Sequence, residues 1–201
     1  MKIAIMSIIF AIVILVVTPY LPSLSANNGT ITINMTTVQT IIAIELSRTD
    51  WPLGNITEDT VYKTDPEATW CSINNTGTVN VDIRSKGENA TSIAYKQGNE
   101  WISPDNSGYH WILSSDGTNN EAGGDFAEYA LWYHISGETA GNYTLITITE
   151  DSMQKENGDK ISLTPGQSKQ FGLKLLTPAP TRFVKDKKMQ AHIIISAVKA
   201  L

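Results

Sequence analysis

Apolar residues recur at every second position along most of this chain, and no feature restricts its fold more. Ile31, Ile33 and Met35 alternate with Thr32 and Asn34, and Ile42, Ile44 and Leu46 follow on one face. Val79, Val81 and Ile83 alternate with Asn80, Asp82 and Arg84, and Tyr109, Trp111 and Leu113 repeat the pattern. Successive side chains of a strand point to opposite faces, so this period gives each segment one face for a core. Tyr129, Leu131, Tyr133 and Ile135 have Ala130, Trp132 and His134 opposite them, apolar on both faces, which predicts a strand at the centre of a sheet. Residues 145–148, 171–175 and 189–198 bring the expected total to about nine or ten strands. Between them lie Asn75-Thr76-Gly77, Pro104 to Gly108, Asp116-Gly117, Gly123-Gly124, Asn157-Gly158 and Pro165-Gly166. Gly and Asn tolerate positive φ and Pro presets a negative one, so these clusters read as turns. The predicted fold is all-β: a single antiparallel β-sandwich, Ig-like or jelly-roll-like.

The N-terminus has another character. Lys2 precedes an apolar run over residues 3–17, followed by Pro19, Pro22 and the small-residue stretch Ser23 to Ala26. A basic start, an apolar stretch and a helix-breaking end fit an export signal over residues 1–26, cleaved after Ser25 or Ala26. As a helix the run would cover about 22 Å, short of a hydrocarbon core about 30 Å thick, so a permanent membrane span is not expected. The expected domain is residues 27–201, secreted or at the cell surface, and held by non-covalent contacts.

Six Asn-x-Thr sequons support export, at Asn28, Asn34, Asn55, Asn74, Asn89 and Asn142. Composition alone would give about two or three, although Thr-rich strands raise that count. The single Cys71 excludes a disulfide framework, and the expected reading is a buried, inert thiol, with an intermolecular disulfide as the alternative. A glycosylated exported chain without disulfides fits an archaeal or bacterial surface better than an animal ectodomain.

Three stretches carry a resemblance: Trp51 to Ile56 with Ser72 to Val79, Gly141 to Ile148, and Leu163 to Leu173. They resemble phrases of Ig-like β-sandwich domains in secreted prokaryotic (archaeal and bacterial) surface proteins. They touch under a quarter of the chain and hold strand and turn residues only. The resemblance therefore implies a fold class and no chemistry.

No nucleophile elbow, His-Glu-x-x-His, Walker loop or dinucleotide fingerprint occurs, so the chain is not expected to be an enzyme. A net charge of −5 argues against binding nucleic acid through phosphate neutralisation. His110 and His134 sit in expected strands beside Trp111 and Tyr133, where packing is the ordinary role of a histidine. Asp116, Asn119, Glu121 and Asp125 lie in a Gly-rich loop whose hard oxygens suit Ca²⁺, the one cofactor the sequence leaves open. Among five tryptophans, Trp111 and Trp132 are expected in the core, whereas Trp51 and Trp101 adjoin turns and are candidates for stacking on sugar rings. Arg182, Lys185, Lys187, Lys188 and Lys199 against Asp186 give the C-terminus a local excess of positive charge. That excess reads either as protection of an edge strand or as one pole of a head-to-tail contact.

The expected function is a secreted, glycosylated structural or adhesive protein of a cell surface, forming a self-assembling filament or envelope subunit. Its expected partners are other copies or envelope components. Two alternatives stand beside it: an extracellular carbohydrate-binding module, and a hydrolase using acidic residues such as Asp116, Asp125 and Glu128. Ile31, Ile33 and Met35 read as the ordinary first strand of a closed monomer or, in the assembly reading, as a strand that enters the open sheet of a neighbour, since the same alternation serves both.

Overall fold

The computed structural model describes residues 39–64, 69–119, 127–181 and 183–201. The expected export signal and the strand carrying Ile31, Ile33 and Met35 lie outside these residues. Among those described, the chain is all-β without a helix and forms two sheets around one core.

The larger sheet runs in the order β1 (Ile44–Leu46), β3 (Cys71–Asn75), β12 (Ser168–Leu176), β8 (Ala127–Ile135), β7 (His110–Leu113), β5 (Ala90–Gln97) and β13 (Lys187–Gln190). Three short strands join its path: β2 (Val61–Lys63) on β12, β6 (Glu100–Ile102) on β5 and β9 (Thr144–Ile146) on β8. The smaller sheet is built on β4 (Val81–Gly87). On one side of β4 lie β10 (Asp151–Ser152) and β11 (Ser162–Leu163), and on the other β14 (Ile193–Lys199). Every pairing is antiparallel except β7 with β8.

The two-sided apolar pattern of β8 has the consequence its sequence predicts: the strand lies mid-sheet, between β12 on one side and β7 and β9 on the other. Tyr129, Leu131, Tyr133 and Ile135 face the core together with Phe171, Leu173 and Leu175 of β12. From the smaller sheet, Val81 and Ile83 meet them at 0% exposure, with Met153 and Ile161 beside them. Trp111 lies in the same core, its ring 5.7 Å from that of Phe183.

Asn75 ties the sheets together. It is 1% exposed, and its Nδ2 donates to the carbonyls of Val79 and Leu163 at 2.8 Å each, while its Oδ1 accepts from the Gly77 N–H at 2.9 Å. A buried amide must be hydrogen-bonded, and this one is bonded on both ends. Gly77 has to be glycine for space, since a Cβ there would stand 2.9 Å from the backbone nitrogen of Ala43.

Residues 189–198 are not one strand as their pattern suggests. The chain leaves β13 in the larger sheet, passes Ala191 and His192, and enters β14 in the smaller one. Each half keeps its alternation, but the two halves alternate against different sheets, which one-dimensional periodicity does not distinguish. Ile42 and Ile148 are exposed and lie outside strands: β1 begins two residues after Ile42, and β9 ends two residues before Ile148.

Candidate functional site

Two surfaces stand out, an edge and a face. The edge is β14. Its inward residues Ile193, Ile195 and Ala197 pack against the core but are only half-buried, whereas Val81 and Ile83 on neighbouring β4 are fully buried. The core is thus less well covered at the β14 margin. The direction of its backbone groups follows from β4. Ile83 accepts from Met153 and donates to Ile161, so the odd residues of β4 bond toward β10 and β11, and the even ones toward β14. The register pairs Asp82 with Val198, Arg84 with Ser196 and Lys86 with Ile194. Antiparallel strands alternate strictly, so the N–H and C=O groups of Ile193, Ile195, Ala197 and Lys199 point away from β4. No strand among the described residues pairs with that side.

The face is the outer surface of the larger sheet where β2, β12, β8 and β9 adjoin. Lys174 lies opposite Trp132 on β8 and opposite Lys63 on β2. Its Nζ is 3.8 Å from the centre of the Trp132 ring and 4.9 Å from that of Tyr143, and Lys63 Nζ is 5.5 Å from Tyr143. His134 continues the strip, 5.3 Å from the rings of both Tyr143 and Trp70. Trp70 lies over Gly172, where a Cβ would stand 2.6 Å from its Cε2. Burial first, and the charge of Lys63 second, push the Lys174 ammonium down from its ordinary value.

Beside the strip lies a hollow of about 350 Å³, walled by His134, Tyr143 and Lys174 and by Glu138, Asn142 and Glu156. His134 donates from Nδ1 to the Asn142 carbonyl, and Asn142 Nδ2 donates to Glu156. Hydrogen bonds from Thr139 hold the Glu156 carboxyl below the usual range.

Trp132 corrects an expectation: it lies half-buried on the outer face rather than in the core, because the inward positions of β8 are the odd ones. Trp51 is half-buried and packs partly against the core. Trp101, in β6, is 43% exposed, with Lys188 Nζ 4.7 Å from its ring. The register separates the two strand histidines. Trp111 of β7 pairs with Ala127 of parallel β8, and His110 precedes that pair by one residue while His134 follows it by seven, so the two lie about 26 Å apart along the strands.

Of the calcium candidates, Glu121 and Asp125 lie outside the described residues. Asp116 accepts from Ser114 and from the backbone and side chain of Thr118, the Thr118 N–H being the main reason its carboxyl sits low. Asn119 donates to Asp59 and to the Thr177 carbonyl. Burial raises the Glu128 carboxyl, with the Asp116 charge a lesser cause. Among the described residues no three His, Cys, Asp or Glu side chains gather as a metal site. Cys71 is half-buried, its thiol directed to the Arg48 carbonyl at 3.3 Å. Among the sequons, Asn55 and Asn142 are exposed, and Asn74 and Asn89 are half-buried, with Asn89 Oδ1 accepting from Leu113 N–H. Asn28 and Asn34 lie outside the described residues.

The lysine–aromatic strip escaped sequence reading because its members come from five separated segments. A Lys opposite a Trp across two strands has no linear signature. Comparison with protein-family models and with curated proteins finds no match for this chain.

Proposed function

We propose that this chain is an exported surface protein with an Ig-like sandwich, and that it assembles by adding a strand of one copy to the β14 edge of the next. One observation carries the reading: β14 offers a seven-residue apolar edge whose inward side chains are only half covered. The alternating Ile31, Ile33 and Met35 suit that margin, since an added strand would set three apolar side chains into the uncovered core and its backbone onto the open groups of β14. The contact joins different surfaces of two copies, so it propagates into a filament instead of closing as a dimer. The apolar leader and the six sequons support an exported, glycosylated subunit.

Deleting residues 27–36 tests this. The full secreted chain should form polymers visible by electron microscopy, and the deletion should remain monomeric until a synthetic peptide of that segment is added, which then binds one to one. A chain that is monomeric before and after deletion overturns the proposal.

A further inference from the structure

We propose that the outer face of the larger sheet binds an acidic polysaccharide, with Lys63 and Lys174 meeting sugar carboxylates and the adjoining hollow taking sugar hydroxyls. This goes beyond assembly and does not depend on it. Lys63 and Lys174 lie directly opposite each other on neighbouring strands. Like charges so placed repel, and among the described residues no ion pair joins either lysine to a carboxylate. Among the described residues these two facing lysines thus present positive charge with no carboxylate bonded to it, a pair suited to an anion from outside. The aromatic rings fix where that anion goes. Trp132 and Tyr143 hold the Lys174 ammonium against their rings and so fix where its charge sits on the face.

The hollow selects among anions. Its volume of about 350 Å³ lies at the lower end of small-molecule pockets, and its wall contains the carboxylates of Glu138 and Glu156. Ionised carboxylates only accept hydrogen bonds, so they favour a ligand that brings donors. A bare inorganic sulfate brings none at neutral pH and would be repelled from that wall. A uronic acid brings a carboxylate on one carbon and hydroxyl donors on the others, which matches lysines on one side and glutamates on the other. The ring of Tyr143, shared by strip and hollow, gives an apolar surface for the C–H face of a pyranose.

The probe is polygalacturonate, with neutral galactan as its control, in affinity electrophoresis of the full chain expressed without N-glycosylation, so that Asn142 carries no sugar at the rim. Polygalacturonate should retard the protein and galactan should not. The double variant Lys63→Gln, Lys174→Gln should bind at least about tenfold more weakly. Lys86→Gln with Lys96→Gln removes the same charge elsewhere and should stay within about twofold of the parent. A cooperative melting transition verifies that each variant folds, and the exposed Lys63→Gln alone replaces the double variant if it does not. Three results would each overturn the proposal: no retardation by polygalacturonate, equal retardation by galactan, or equal weakening in both lysine pairs.

Discussion

Two edge strands, β13 and β14, follow each other in the chain and treat solvent in opposite ways. β13 ends the larger sheet with four residues, two of them lysines, and its pairing with β5 shifts register between Lys188 and Met189. Short length, lysines and a bulge are the devices by which proteins stop an edge from recruiting another strand. Lys187 is also committed inward, to Asp105 at 2.7 Å. β14 has seven residues in unbroken register on β4, and reads Ile-Ile-Ile-Ser-Ala-Val-Lys with its single charge at the end. Among the described residues, one edge is guarded and the other lacks such guards. The basic C-terminal residues thus divide: Lys187 and Lys188 belong to edge protection, while Lys199 closes the open strand.

The largest effect expected from this contrast is on stability. Ile83→Ala on β4 should cost about 2–5 kcal/mol, as a fully buried residue leaves a cavity that cannot close. Ile195→Ala on β14, half-buried at the margin, should cost about 1 kcal/mol in the monomer, read by urea unfolding of the 27–36 deletion. Equal losses would mean that the β14 margin is as well sealed as the centre.

Proline separates the two sides of β14. Ile194→Pro removes an N–H bonded to β4 and leaves its carbonyl partner unpaired, so it should destabilise the monomer by about 1–3 kcal/mol. Ala197→Pro removes an N–H that points outward, so it should cost the monomer less than about 1 kcal/mol while abolishing assembly. Thermal melts and sedimentation velocity read the two effects.

A weaker, pH-dependent effect belongs to the guarded edge. Hydrogen bonds from Lys187 first and Ser92 second hold the Asp105 carboxyl well below the usual carboxylate range. A carboxyl lowered by folding contributes stability above its unfolded pKa, and this is lost as pH falls through about 4 toward the folded value. Asp105→Asn should therefore lower the melting temperature at neutral pH and flatten its decline between about pH 4 and pH 2. An unchanged decline would mean that the pair does not anchor β13. The smallest effect concerns glycans: in the secreted protein, Asn55→Gln and Asn142→Gln should each remove one glycan mass, and Asn74→Gln less completely, because Asn74 is half-buried within β3.

Alternation made the all-β class and the central place of β8 legible, because a period of two reports one buried face wherever it occurs. It did not report which sheet a strand joins, and so 189–198 read as one strand. Turn chemistry was legible at Asn75-Thr76-Gly77, but its link to Leu163 spans 88 residues and has no local signal. The sites were less legible than the fold. Trp132 read as core because two faces of one strand were apolar, and only the pairing with Lys174 reveals which face looks outward. The half-covered margin of β14 follows from no described strand pairing beyond β14, a property of topology alone.

Cross-linking between different chains tests the central claim most directly. In a Cys71→Ser background, a chain carrying Ala197→Cys is mixed with chains carrying Ile31→Cys, Ile33→Cys or Met35→Cys in turn, and with Thr32→Cys as the opposite-face control. If residues 30–35 of one copy lie along β14 of another, one of the three apolar positions gives a mixed disulfide dimer under mild oxidation, and Thr32→Cys gives none. No mixed dimer from any of the three, or the same yield from all four positions, would contradict the account.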